Sequence, residues 1–100
     1  MSFTQVIEMY GIDDEQALRD HIAEWDREQG GTAPGYRGAR VFADADIPTR
    51  YVLEVDFTSE EEAKRNSARE ETANWAKKLR ELAKNPPGYR DLREMYTTYE

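Results

Sequence analysis

The chain has 100 residues, with 21 acids against 14 bases for a formal net charge of −7, 38% hydrophobic residues, 35% charged residues and no cysteine. That length is one domain, residues 1–100, and so short a chain buries a smaller fraction of its surface than a large one. The acidic balance, with bases scattered among acids as in Arg19-Asp20 and Lys64 to Glu70, argues against a nucleic-acid partner, and the lack of cysteine excludes disulfides, thiolate metal sites and a cysteine nucleophile.

Met1 to Glu8 carries no basic segment followed by an apolar run, so no signal peptide is expected. No stretch approaches the roughly 20 apolar residues of a membrane span, and the expected location is the cytoplasm, away from membranes.

Phe3 to Tyr10 alternates loosely and reads as a first strand, punctuated by Gly11. Asp13 or Asp14 then caps a helix running to about Gln29, where Gly30-Gly31 stops it. Leu18, His21, Ile22 and Trp25 fall at helical spacing and form one buried stripe. Tyr36 to Ala43 and Arg50 to Phe57 read as a second and third strand joined by a hairpin loop around Pro48. Ser59 with Glu62 three residues later is a capping box opening a long second helical region to about Lys84. Its inner face is marked by Ala68, Thr72, Trp75, Leu79 and Leu82, with a kink expected in the polar stretch Ser67 to Thr72. Asn85-Pro86-Pro87-Gly88 ends it, and Tyr89 to Tyr99 supplies a last strand around Leu92, Met95 and Tyr96.

The order β-α-β-β-α-β is the ferredoxin-like split unit of the α+β class: a four-stranded antiparallel sheet with two helices on one face. The uncovered face then needs a partner or must be polar. Strand alternation puts Ile7, Val41, Leu53, Val55 and Met95 beneath the helices. The opposite face mixes Val6, Phe42, Val52 and Leu92 with the charged set Glu8, Arg40, Glu54 and Glu94. Such a mixture suits a semi-polar interface between two sheets, so a homodimer is expected, with Arg40 pairing Glu54 across the ladder to set its register. An arginine beside carboxylates could instead fix an anionic or enolic substrate.

The strand Val6-Ile-Glu-Met9, the segment Pro34-Gly-Tyr-Arg-Gly-Ala-Arg40, and Tyr51 to Ala63 with its Thr-Ser-Glu-Glu-Glu-Ala ending, followed by Asn66-Ser67 and a helix carrying Trp75, together resemble the antibiotic-biosynthesis-monooxygenase-like members of the dimeric α+β barrel superfamily. The resemblance covers nearly the whole chain. It implies a dimeric α+β barrel and, among the activities it embraces, cofactor-independent oxidation of aromatic polyketides or haem degradation. The haem-degrading pattern wants an asparagine on the first strand and a histidine downstream of the tryptophan, and this chain has neither. Where the family often has Pro-Glu near the helix kink, this chain reads Arg69-Glu-Glu-Thr72, a change expected to straighten the second helix.

Residues able to carry chemistry are few. His21, the one histidine, is a candidate general base if it faces the sheet, or a core histidine satisfied by a carbonyl. Trp25, Trp75 and Tyr51 are candidates to line a pocket for a small aromatic ligand, the tryptophans sandwiching its ring, or else simply core. Asn66 and Asn74 could bind a substrate oxygen, with Asn74 the more exposed by its position. Gly30-Gly31 and Gly35-x-x-Gly38 fit no phosphate-binding spacing, and neither the lone histidine nor the carboxylates have metal-site spacing. No cofactor is implied. Two functions compete: a small-molecule enzyme, a cofactor-independent monooxygenase acting on an aromatic or enolic substrate with His21 or a tyrosine as base, and a non-catalytic dimeric binding or assembly protein whose interior is filled.

Overall fold

A computed structural model describes residues 2–99. The elements are β1 (Phe3–Met9), α1 (Glu15–Gln29), β2 (Tyr36–Ala43), β3 (Tyr51–Phe57), α2 (Glu60–Ser67), α3 (Glu70–Leu82) and β4 (Gly88–Arg93). The strands form one sheet in the order β2-β3-β1-β4, every pairing antiparallel, with the helices against one face. The ferredoxin-like α+β fold is therefore the architecture of the chain. No helix among the described residues is long and apolar enough to cross a membrane.

Local chemistry explains the element boundaries. Asp14, in extended conformation, accepts a hydrogen bond from the Ala17 N–H at 3.0 Å and so caps α1. Ser59 does the same for α2 through the Glu62 N–H at 3.2 Å, with three glutamates in the first turn facing the positive end of the helix dipole. Gly35 has φ +66°, and a Cβ there would collide with the Glu62 side chain. Only glycine lets the entry to β2 pass this close to α2.

The second helical region is not one helix. It breaks at Ala68 and Arg69, where Arg69 is extended with ψ 147°. The expectation that Arg69 to Thr72 straightens this region is thus corrected, and its physical reason is Asn66. That side chain is 3% exposed, and its Oδ1 accepts from Thr72 Oγ1 at 3.2 Å and from the Arg69 guanidinium at 3.4 Å. A buried amide is satisfied by bridging the break, so the kink forms without proline. Ala68 lies in the break and is exposed rather than facing inward; Ala63 and Asn66 are the buried residues of α2.

The last strand is shorter than expected. Phe3 is paired with Arg93, and the Glu94 N–H donates to the Ser2 carbonyl at 3.0 Å. Because β1 begins at Phe3, the pairing runs out there. Met95 and Tyr96 therefore lie beyond the sheet, 84% and 79% exposed, and Met95 does not pack beneath the helices.

The core beneath the helices has two parts. Ile7, Met9, Ile12, Leu18, Tyr51, Leu53 and Leu79 form one cluster, and Phe3, Phe57 and Ala63 form a smaller one. Both borders of the candidate site are set by these clusters.

Candidate functional site

Between sheet and helices lies a cavity of about 300 Å³. Ile7 and Leu53 of the first cluster and Phe57 of the second contribute to its wall. The sequence leaves this space open for a simple reason. On α3 the positions Ala73 and Ala76, and on β2 the position Ala39, face the cavity with a methyl group where a larger side chain would fill it. The wall is chiefly apolar, with a few polar groups at defined places, the usual make-up of a small-molecule site. The filled space expected of a purely assembly-forming protein is not found at this place.

Trp25 and Trp75 both line the cavity. Trp75 is fixed from behind by His21. The two rings stack at 4.7 Å with an interplanar angle of 10°, the Trp75 indole N–H donates to the His21 carbonyl at 3.2 Å, and His21 Nε2 lies 2.9 Å from the Trp75 carbonyl. A carbonyl only accepts, so Nε2 carries the proton and Nδ1 is the bare nitrogen. Trp25 meets Trp75 edge-on at 6.1 Å and 66°. The indole N–H of Trp75 is thus already committed, and the tryptophans offer a ligand aromatic surface.

His21 and Tyr51 do not line this cavity, which corrects their place in the expected pocket. His21 is 3% exposed and sits on the other side of Trp75, bordering a separate depression of about 290 Å³ with Glu24, Glu71 and Lys78. Its Nδ1 is buried without a partner. Burial lowers the His21 pKa below its ordinary value of 6.5, opposed by the hydrogen bond to the Trp75 carbonyl. Burial thus favours the neutral imidazole, and Trp75 stands between it and a molecule in the cavity. Tyr51 belongs to the filled cluster, opposite Met9, and its hydroxyl reaches Glu15 at 3.1 Å. Burial and that carboxylate raise its pKa.

Tyr36 does line the cavity, but its hydroxyl donates to Asp26 at 2.7 Å. Burial, then the neighbouring Asp26, pushes its pKa far up, so it stays protonated. No residue of the wall is a ready base.

Asn66 is the polar residue best placed for chemistry. It lines the cavity, and because its Oδ1 is taken by Thr72 and Arg69, its amide NH₂ is the end left to donate. Asn74 is exposed and does not line the cavity. Thr72 was placed on the inner face by its spacing, but Arg80 and Gln5 were not expected at the cavity; the i, i+4, i+8 spacing of Thr72, Ala76 and Arg80 on α3 is the pattern that would have placed Arg80 on that face.

On the outer face of the sheet Arg40 pairs with Glu54 at 3.1 Å. Glu8 is not part of that pair, because Val6 stands opposite Glu54 and Glu8 stands opposite Val52. Glu8 instead binds Arg90 at 2.9 Å and Arg50 at 3.4 Å, and Arg50 binds Asp44 at 3.0 Å. Hydrogen bonds from Tyr10 and Arg90 hold the Glu8 carboxyl below the usual range. Glu94 lies past the end of β4 and joins no ion pair among the described residues. The expected four-residue cluster is therefore two separate networks, with Arg50, Asp44 and Arg90 the members that sequence reading missed. Arg50 shares the parity of Val52 and Glu54, which is the signal that would have found it.

Comparison with known proteins bears on the fold. No family model and no curated protein matches the chain. Among solved structures, it is similar to SnoaB, a cofactor-independent oxygenase from Streptomyces nogalater, with a TM-score of 0.80 at 17% identity over 99% of this chain and 98% of that one. It is similar to a monooxygenase from the gene ActVA-Orf6 of Streptomyces coelicolor in complex with nanaomycin D, with a TM-score of 0.83 at 20% identity over 99% and 92%. Rv0793 from Mycobacterium tuberculosis matches with a TM-score of 0.76 at 16% identity over 99% and 100%. At these identities the likeness shows the fold: the chain shares the ferredoxin-like α+β architecture of these proteins.

Proposed function

We propose that the protein is a cofactor-independent monooxygenase acting on a small aromatic or enolic substrate held between the helices and the sheet, and that it works as a homodimer. The observation that carries the reading is the cavity itself: about 300 Å³, walled by both tryptophans and supplied with the Asn66 amide. The likeness in fold to two oxygenases supports the reaction class.

The chemistry follows from what the wall offers and lacks. With Tyr36 kept protonated and His21 behind Trp75, the proton of an anthrone or a hydroquinone passes to solvent, and the part of the site is to stabilise the anion it leaves. Asn66 donates a hydrogen bond to the substrate oxygen on which negative charge gathers, stabilising the enolate. The tryptophan faces hold the ring. For an anthrone, the carbanion carbon bonds to dioxygen and the resulting peroxide takes up a proton. Loss of the remaining C–H proton then breaks the O–O bond, leaving a quinone and one water. Dioxygen is the oxidant, and one of its atoms ends in each product. His21 acts here as a positioning residue that holds Trp75.

Oxygen uptake with a panel of anthrones and hydroquinones tests the reading. Turnover is expected, with kcat lowered about 10- to 100-fold in Asn66→Ala, corresponding to one lost hydrogen bond to a developing charge. No uptake above the uncatalysed rate with any member would overturn it. The dimer is supported by the outer face, where Phe42 and Leu92 are 43% and 50% exposed beside the ion pairs. Light scattering is expected to give twice 11.6 kDa, and a clean monomer would remove the dimer.

A further inference from the structure

We infer that the substrate carries a carboxylate, bound by Arg80 at the rim of the cavity. The inference rests on the cavity being the substrate site and narrows the class of molecule it takes. Arg80 is the one charged side chain on the cavity wall among the described residues. It closes the stripe Thr72, Ala76, Arg80 on α3, so its stem leaves the helix on the hollow side. It is exposed, as is Tyr89 of β4 on the same wall, so Arg80 stands where the cavity meets solvent.

Two facts make Arg80 more than a solvated surface base. In a chain where acids outnumber bases by 21 to 14, most arginines find a carboxylate: Arg19, Arg40, Arg50, Arg65, Arg69, Arg90 and Arg93 all do. Arg80, like Arg27 and Arg37, has no such partner among the described residues, and of these three it alone lines the cavity. No acid lines the cavity either. The site therefore holds one uncompensated positive charge at the mouth of an apolar space, in a protein whose net charge of −7 repels anions elsewhere. A guanidinium fork matches the planar carboxylate in a bidentate geometry. The ring would then lie inward against Trp25 and Trp75 with its acid group outward.

The protein contains two tryptophans, and both line the cavity as well as the depression beside His21, so quenching reports binding at either and the Arg80 variants assign it to the cavity. The probes are anthraquinone-2-carboxylate and anthraquinone-2-carboxamide, oxidised rings of the same shape that differ in charge. The carboxylate is expected to bind about tenfold tighter than the carboxamide, equivalent to about 1.4 kcal/mol for the charge-assisted contact. Arg80→Gln should abolish that preference while leaving carboxamide binding in place, Arg80→Lys should keep part of it, and raising salt should weaken the carboxylate alone. Equal binding of the two probes by the unaltered protein, or a preference that persists in Arg80→Gln, would overturn the assignment to Arg80 while leaving the cavity as a ligand site. Quenching by neither probe would overturn the cavity reading and this one with it.

Discussion

The space between sheet and helices is built by two opposite rules within a few residues of each other. Around Met9, Leu18, Tyr51 and Leu79 every position is filled and nearly sealed from water, with Met9 and Leu79 at 0% exposure. On β2 and on the same helix α3, Ala39, Ala73 and Ala76 stand where large side chains would fill the space, and it is open. On α3 the contrast is between neighbouring faces: Trp75, Leu79 and Leu82 pack into or against the filled cluster, while Ala73 and Ala76 face the void. A fold of this size depends on the first rule for stability. It can follow the second only where something else is gained, and binding is what a walled apolar space can offer.

The largest effect should come from the filled part. Leu79→Ala removes a fully buried side chain, and urea unfolding should show a loss of about 2–5 kcal/mol. A loss well under 1 kcal/mol would mean that the interior collapses easily around new voids, and the contrast between the two regions would weaken.

Ala76→Leu makes the opposite change. The added side chain enters existing space, so stability should shift by less than about 1.5 kcal/mol in either direction, while quenching of the tryptophans by aromatic probes should be lost. If the variant binds probes as well as the unaltered chain, the ligand lies elsewhere.

This contrast also explains what was readable in the sequence. The strands, the caps at Asp14 and Ser59, and the filled stripe of Leu18 and His21 follow from periodicity and capping chemistry, which are local. The family likeness, carried by Tyr51 to Ala63, pointed to the same fold. Of the cavity wall, the two tryptophans and Asn66 were singled out by residue type and Thr72 by helical spacing. A void is a property of facing elements: Ala39 on β2 and Ala76 on α3 read as ordinary small residues until the fold sets them on one cavity. His21 shows the converse. Its helical position placed it correctly on the buried face of α1, but whether it points at a pocket depends on Trp75, 54 residues away, whose ring lies between. The end of β4 was misjudged because strand length depends on the partner, and past the Phe3–Arg93 pair the contact is the hydrogen bond from the Glu94 N–H to the Ser2 carbonyl.

The smallest effect sharpens the boundary between the two regions. His21 lies where the filled cluster meets the cavity wall, holding Trp75 by ring stacking and by reciprocal hydrogen bonds. Burial lowers its folded pKa below the ordinary 6.5, so the unfolded chain binds the proton more readily than the folded one. Glu24 on α1 favours the charged form and Lys78 on α3 opposes it, and burial outweighs Glu24. The stability linked to His21 is therefore complete above pH 6.5 and falls away as pH drops from there through the folded pKa. Unfolding followed from pH 8 to 5 should show this loss on top of the carboxylate contribution, and His21→Gln should remove it. Because protonation puts an unpartnered N–H on the buried Nδ1 next to Trp75, the packing there should loosen and probe quenching should weaken over the same interval. A binding curve that stays flat while stability falls would separate His21 from the cavity wall and leave it a residue of the filled core alone.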